Sequence, residues 1–256
     1  MNIQVLGAHN VESQSSKFVC LLIDDVLAID AGGLTSSLSF ETQRRLKAIL
    51  LTHQHYDHTR DIPAIGISLF FQEATLNVYS IQPVYDALAI NLLNGKLYPN
   101  FLEQPIENPT IKLTVIEPHK PEKIEGYGIL ALPTNHTVPS VGYQVTSPDG
   151  KTVFYSGDTG PGLADCWQHI SPQLIITEVS GSDRYKDWAA RVGHLTPSLL
   201  KQELAAFQEL KGYLPPVVLV HITPFLEKEI ETEIAAVAAA LDTSITLAHE
   251  GMKLHL

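Results

Sequence analysis

Three histidines and one aspartate fall within six residues of each other, and no other feature constrains the fold of this chain as strongly. His53, His55, Asp57 and His58 come directly after the apolar segment 47–51. An apolar run of this length is typical of a buried strand, so the cluster is expected in the loop at the strand's end, where functional residues are often found.

The residue types in this cluster indicate a metal site with two ions. Imidazole and carboxylate groups are ligands that zinc, manganese and iron accept. His53 and His55 are two residues apart on an extended segment, so they point to the same side and can bind one ion. Asp57 and His58 follow in a turn and face elsewhere, which suits a second ion. The alternative is a set of surface histidines without a metal, and four ligand-type residues in six positions disfavour it.

Further motifs along the chain resemble those of the metallo-β-lactamase superfamily. The cluster has the form HxHxDH, and an apolar strand with Asp30 at its end precedes it. The later motifs appear in the family's order, with His136 in Thr134-Asn135-His136-Thr137, Asp158 in Ser156-Gly157-Asp158-Thr159-Gly160, and His221 in Val220-His221-Ile222-Thr223-Pro224. The resemblance covers nearly the whole chain.

This resemblance implies an α+β fold, a four-layer αββα sandwich, formed as a single domain by residues 1–256. It assigns His53, His55 and His136 to a first metal ion. It assigns Asp57, His58 and His221 to a second ion. Asp158 would bridge both ions, and Asp30 would be a supporting carboxylate that holds the metal loop. For Asp30, an ordinary turn aspartate is an equal alternative, because Asp before small residues is common turn chemistry.

Such a centre predicts a hydrolase. Two divalent ions about 3.5–4 Å apart would lower the pKa of a bridging water from ~15.7 towards ~7 and provide a hydroxide nucleophile. Zinc is the first expectation for the metal, with manganese and iron as alternatives. Asp57 is also expected among the catalytic residues.

Glu178 and His194 indicate which bond is cleaved. Glu178 ends an apolar strand and His194 precedes Leu195-Thr196. This pair is similar to one in the ribonuclease Z and class II cyclic-nucleotide phosphodiesterase branch, where the histidine protonates the leaving oxygen and the glutamate orients it. A positioned acid contributes about 10²–10⁴-fold to a rate. The alternative is that His194 merely precedes a helix cap. Tyr56 and Asp61 depart from the class II signature, which weakens the nucleotide assignment.

Several functions remain open from these motifs. The first is a phosphodiesterase that acts on a small phosphodiester such as a cyclic nucleotide. The second is a ribonuclease Z-like endonuclease for tRNA 3′ ends, although residues 137–157 leave little room for an inserted tRNA-binding arm. The third is a lactone or thioester hydrolase. A metal-binding module without catalysis is disfavoured, because no ligand is missing.

Composition restricts the partners and the compartment. The formal net charge of −11 argues against a large nucleic-acid surface, which needs clustered lysine and arginine. No apolar segment approaches the length of a membrane span, and the start of the chain does not resemble a signal peptide. Two cysteines fit a reducing compartment, so a cytoplasmic location is expected. A homodimer is left open.

Apolar patterning predicts mixed secondary structure. Strands are expected at 3–6, 18–23, 26–30, 47–51, 75–80, 111–116, 128–132, 141–146, 152–156, 174–179, 217–221 and 245–247. Helices are expected at 39–46, 61–71, 83–93 and 196–212, and along the stripe Ile230, Ile234, Val237 and Leu241. The loop 94–101 has a composition typical of a site cover, which makes Tyr98 and Phe101 weak candidates for substrate contact.

Overall fold

Two seven-stranded sheets form the centre of the fold in the computed structural model, which describes all 256 residues. The first sheet has the spatial order Lys253–His255, Asn2–Gly7, Cys20–Ile23, Leu27–Ile29, Ala48–Leu50, Leu76–Ser80 and Ile111–Val115. The second has the order Ile245–Leu247, Val217–Val220, Leu174–Glu178, Thr152–Tyr155, Ser140–Thr146, Tyr127–Thr134 and Glu122–Ile124. The predicted α+β sandwich is confirmed.

The sheets pack face to face, with helices outside. Successive side chains along a strand point to opposite faces of the sheet, and both faces are apolar here. In the second sheet, Val153 and Tyr155 lie in the large core shared with the first sheet. Phe154, between them, lies in a second core with Trp167 and Phe207 of the outer helices. The strand Thr152–Tyr155 therefore separates two buried layers.

Helices cover both outer faces. The α-helices span Phe40–Arg45, Tyr56–Thr59, Asp61–Phe70, Gln82–Ala87, Ala164–His169, Lys186–Arg191, Pro197–Lys211 and Glu227–Leu241. The helix Gln82–Ala87 continues as one π-helical turn, Leu88–Leu92. No helix is long and apolar enough to span a membrane.

The ends of the longest predicted helix agree with the sequence signals only in part. Pro197 occupies its first turn and Gly212 ends it with a φ of 75°, as expected. Thr196 stands at the N-cap, but its side chain makes no capping hydrogen bond and its hydroxyl is buried without a partner. Thr196 is therefore the N-cap by position but supplies no side-chain cap.

Parallel strands bring the predicted site residues to one edge. Leu27–Ile29, Ala48–Leu50 and Leu76–Ser80 run parallel in the first sheet, as do Thr152–Tyr155, Leu174–Glu178 and Val217–Val220 in the second. The two sheets are joined at this edge by a hydrogen bond from the Tyr143 hydroxyl to the Leu51 carbonyl, 2.8 Å long. The loops that follow these strands consequently meet.

The structure corrects the expectation for Phe101. Its side chain is 1% exposed and its ring centroid lies 6.1 Å from that of Phe70. An ideal Cβ on Gly66 would lie 2.4 Å from the Phe101 ring, so this glycine makes room for it. Phe101 is a core residue and is not available to a substrate.

Candidate metal centre

The four clustered residues and the three distant ones converge at the common edge of the two sheets. His53 and His55 follow Ala48–Leu50 in extended conformation, and the short helix Tyr56–Thr59 then turns Asp57 and His58 towards the second sheet. Two groups of side chains result, each with ligand atoms within 4.8 Å of one another. The first group contains His53, His55, His136 and Asp158. The second group contains Asp57, His58, Asp158 and His221.

Asp158 lies between the two groups. Its Oδ1 is 3.4 Å from Nε2 of His58, and its Oδ2 is 3.3 Å from Nε2 of His221 and 3.7 Å from Nε2 of His53. Only Asp158 belongs to both groups. This is the position in which a carboxylate can serve two cations.

Buried polar atoms without partners show that the pocket fits cations. Nε2 of His53, Nε2 of His58 and Oδ1 of Asp158 are buried and make no hydrogen bond. An unpaired polar atom in such a place costs about 1–3 kcal/mol, which a bound ion would offset. Nitrogen and carboxylate oxygen form a donor set that zinc accepts.

Electrostatics agree with this fit. Burial lowers the pKa of His53 well below its usual value, which keeps its imidazole neutral as a ligand must be. Burial alone would also lower the pKa of His58, but the carboxylates of Asp158 and Asp30 raise it well above its usual value. These carboxylates favour a positive charge at the His58 ring, and a cation at Nε2 would supply it in place of the proton.

A buried carboxylate and a hydroxyl orient the rings of the metal loop. Asp30 accepts hydrogen bonds from Nδ1 of His58 and from the backbone N–H of Thr52. The Thr52 hydroxyl donates to Asp30 and lies 3.0 Å from Nδ1 of His53. Both histidines therefore present Nε2 to the centre. Partners of this kind fix the tautomer and orientation of a ligating histidine.

The two distant histidines are held by other groups. Nδ1 of His136 donates to the Gly193 carbonyl over 2.9 Å, and Nδ1 of His221 lies 2.7 Å from the Ser180 hydroxyl. The Ser180 hydroxyl in turn donates to Oε2 of Glu178 over 2.6 Å. Gly193 and Ser180 thus belong to the surroundings of the centre.

Glu178 and His194 form a direct pair beside the second group. Oε1 of Glu178 lies 2.7 Å from Nδ1 of His194, and the His194 ring stacks on the His221 ring with centroids 5.3 Å apart. Burial would lower the pKa of His194, but the charge and hydrogen bond of Glu178 raise it to about 9. The imidazole therefore holds a proton at neutral pH, with Nε2 free of the glutamate.

All predicted ligand positions come together, while their roles as ligands stay predictions. Sequence reasoning missed Thr52, Ser180 and Gly193. Ser180 stands two residues after Glu178 at a strand end, a position that could have marked it, whereas nothing in the sequence marks Gly193. Tyr98 is partly exposed next to Phe101, with ring centroids 6.1 Å apart, and its contact with a substrate stays a prediction.

Comparison with known proteins is consistent with this geometry. Residues 22–222 match the family model described as the β-lactamase superfamily domain. A 3′,5′-cyclic-nucleotide phosphodiesterase from Aliivibrio fischeri is 23% identical over 207 residues, which cover 73% of this chain and 61% of that protein. A ribonuclease Z from Methanocaldococcus jannaschii is 30% identical over 101 residues, which cover 39% of this chain and 30% of that protein.

A solved structure is similar over the full length. The crystal structure of unliganded yeast PDE1 superposes with a TM-score of 0.85 at 17% sequence identity, covering 100% of this chain and 99% of that one. At this identity the likeness shows the fold. The chain spans less than two thirds of the length of both curated relatives.

Proposed function

The chain belongs to the β-lactamase superfamily, and from this premise we propose that it is a metal-dependent hydrolase that cleaves a small phosphodiester such as a cyclic nucleotide. The confirmed family resemblance and the named relatives support hydrolysis of a phosphodiester. The observation that carries the proposal is the Glu178–His194 pair beside a full set of ligand-type residues.

His194 is positioned to give a proton to a leaving oxygen. Its Nδ1 is held by Glu178, so Nε2 is the atom available to a substrate. Its ring stacks on His221, which places it at the border of the second ligand group. A cleaved phosphodiester releases an alkoxide, a poor leaving group, and protonation of this oxygen lowers the barrier. Glu178 accepts from His194 and orients it.

The proposal includes two divalent ions, zinc first and manganese or iron as alternatives. When bound, they would supply an activated water and neutralise phosphate charge. His53, His55, His136 and Asp158 would hold one ion, and Asp57, His58, His221 and Asp158 the other. Nε2 of His221 lies 3.2 Å from Oδ2 of Asp57, so these two side chains are close enough to hold the same ion.

A ribonuclease Z-like activity is the second candidate, and the Methanocaldococcus relative favours it. Two features oppose it. Residues 137–157 contain the paired strands Ser140–Thr146 and Thr152–Tyr155 of the second sheet, which leaves no inserted arm for tRNA. The net charge of −11 also disfavours a long phosphate backbone. A small-molecule substrate agrees better with both features.

A lactone or thioester hydrolase would use the same ligand set. The thiolate that leaves a thioester needs no proton, so Glu178 and His194 would have no evident task in thioester hydrolysis. A cytoplasmic location and a homodimer remain predictions.

Zinc-replete protein should be assayed against 3′,5′-cyclic AMP, bis(p-nitrophenyl) phosphate, a lactone and a thioester, with Asp158→Asn as the negative control. We expect phosphodiester turnover to exceed the other activities and to disappear in the variant. Faster lactone or thioester turnover would reject the proposal. Tight tRNA binding at moderate salt, with cleavage at the 3′ end, would instead establish the second candidate.

A further inference from the structure

A cavity of about 390 Å³ opens beside the second ligand group. Its walls come from the segments that follow two site-bearing strands. Tyr185 and Trp188 follow Leu174–Glu178, and Phe225 follows Val217–Val220. The volume is within the range of small-molecule sites, about 300–1,000 Å³.

Three aromatic side chains line this cavity and are largely open to solvent. The exposed fraction is 41% for Tyr185, 50% for Trp188 and 83% for Phe225. Exposed aromatic rings around a recess are costly unless something covers them, and they are typical of surfaces that bind planar ligands by stacking.

The cavity lies next to the candidate metal centre. The Trp188 ring stacks on His194 with centroids 6.5 Å apart, and His194 stacks on His221 at 5.3 Å. Ser180, whose hydroxyl contacts His221, also lines the cavity. A ligand with a phosphate at the centre would thus have its remaining part directed towards these rings.

The serine and threonine hydroxyl groups at the cavity wall are already engaged within the protein. Ser180 donates to Glu178, and Thr223 donates to the Ser180 carbonyl while it accepts from the Asn10 side chain. Neither the Ser180 nor the Thr223 hydroxyl is therefore free to donate a hydrogen bond to a ligand. Recognition by stacking is tolerant, because every nucleobase has a π-face.

We propose that the aromatic cavity of Tyr185, Trp188 and Phe225 binds the heterocyclic base of a mononucleotide whose phosphate lies at the metal centre. The inference rests on the proposed function and names its substrate class. It predicts that affinity depends on the presence of a base and only weakly on which purine is present.

Intrinsic fluorescence provides a readout that is independent of hydrolysis. The chain has two tryptophans, and Trp167 is buried in the second core while Trp188 faces the cavity. Zinc-loaded protein should be titrated with 5′-AMP, 5′-GMP and ribose 5-phosphate. We expect saturable quenching by both nucleotides at concentrations within about fivefold of each other. Ribose 5-phosphate should bind at least about fivefold more weakly, because it lacks the base.

Phe225→Ala tests the cavity without touching His194, and Phe71→Ala is the matched control because Phe71 is 78% exposed at the C-terminal end of the helix Asp61–Phe70. Phe225→Ala should remove most of the preference for 5′-AMP over ribose 5-phosphate, which is about fivefold or more in the wild type, and Phe71→Ala should retain it. Equal binding of 5′-AMP and ribose 5-phosphate by the wild type would overturn the inference. An unchanged preference in Phe225→Ala would do the same.

The same preparations distinguish this inference from the proposed function. Hydrolysis of 3′,5′-cyclic AMP with no preference for a base would overturn the base cavity alone. Base-dependent binding that needs Phe225, without hydrolysis of any phosphodiester, would uphold the cavity and reject the proposed activity. Binding of a single-stranded oligoribonucleotide at Trp188 with no response to 5′-AMP would overturn the mononucleotide assignment.

Discussion

Oδ2 of Asp30 lies 2.8 Å from Nδ1 of His58, and both side chains are fully buried. The same carboxylate holds the Thr52 hydroxyl, which contacts His53. One aspartate thus orients a histidine of each ligand group. Its backbone has a φ of 60°, a left-handed conformation that Asp and Asn tolerate better than most residues.

Asp30→Asn is therefore expected to weaken zinc binding without breaking the turn. Asn fits the left-handed backbone but removes the charge that favours a cation beside His58. Loss of such a supporting carboxylate typically costs 10- to about 100-fold in metal affinity. Competition with a chromogenic chelator measures the change. Asp24→Asn is the control, because Asp24 also has a positive φ, 48°, and contacts Asn2 and Tyr127. Equal affinities in both variants would contradict the role of Asp30.

Ser180 and Ser182 give a second matched pair. The Ser180 hydroxyl contacts His221 and Glu178, whereas the Ser182 hydroxyl is buried without a partner. Ser180→Ala should lower zinc affinity about tenfold, because Nδ1 of His221 loses its partner. Ser182→Ala should leave zinc affinity unchanged and stability within about 0.5 kcal/mol, since it removes an unpaired polar group. Calorimetric zinc titration and denaturant unfolding provide the two readouts.

The ligand positions could be predicted because both of their determinants are local. Residue type encodes the chemistry of His53 and Asp158, and an apolar strand immediately before each residue encodes its place at a strand end. The parallel order of the strands then brings these ends together. The predicted strand at 245–247 agrees with the structure to the residue.

What the sequence did not predict depends on distant partners or on short elements. Lys253–His255 is a strand of three residues with polar ends, and it exists because Asn2–Gly7 offers an edge. Tyr56–Thr59 is too short to show helical periodicity. The aromatic residues of loop 94–101 looked like a site cover, yet Phe101 fills a space left by Gly66. Gly193 matters only through a contact with His136, far away in the chain.

Gly193→Ala should disturb the candidate metal centre in addition to straining the backbone at residue 193. Gly193 has a φ of 71°, and an ideal Cβ there would lie 2.7 Å from Cα and 3.0 Å from Nδ1 of His136. The backbone and the ring of His136 would both have to move, so zinc affinity and turnover should fall at least about tenfold. Gly212→Ala is the control, because Gly212 has a φ of 75° with nothing near an added Cβ. It should cost about 1 kcal/mol of stability and leave zinc binding intact. Equal effects on zinc in the two variants would show that strain alone is responsible.

His194→Ala tests proton donation to the leaving oxygen. Without this imidazole, hydrolysis of 3′,5′-cyclic AMP should slow about 10²–10⁴-fold, because its alkoxide leaves poorly unless it is protonated. Bis(p-nitrophenyl) phosphate releases a stable phenolate, so the same variant should lose much less activity towards it. His249→Ala is the control, since His249 is exposed and its Nδ1 contacts only the Glu250 carbonyl. Zinc content should remain at the wild-type level in both variants. A similar loss on both substrates would indicate that His194 positions the phosphate and does not act as an acid, because a positioning residue affects good and poor leaving groups alike.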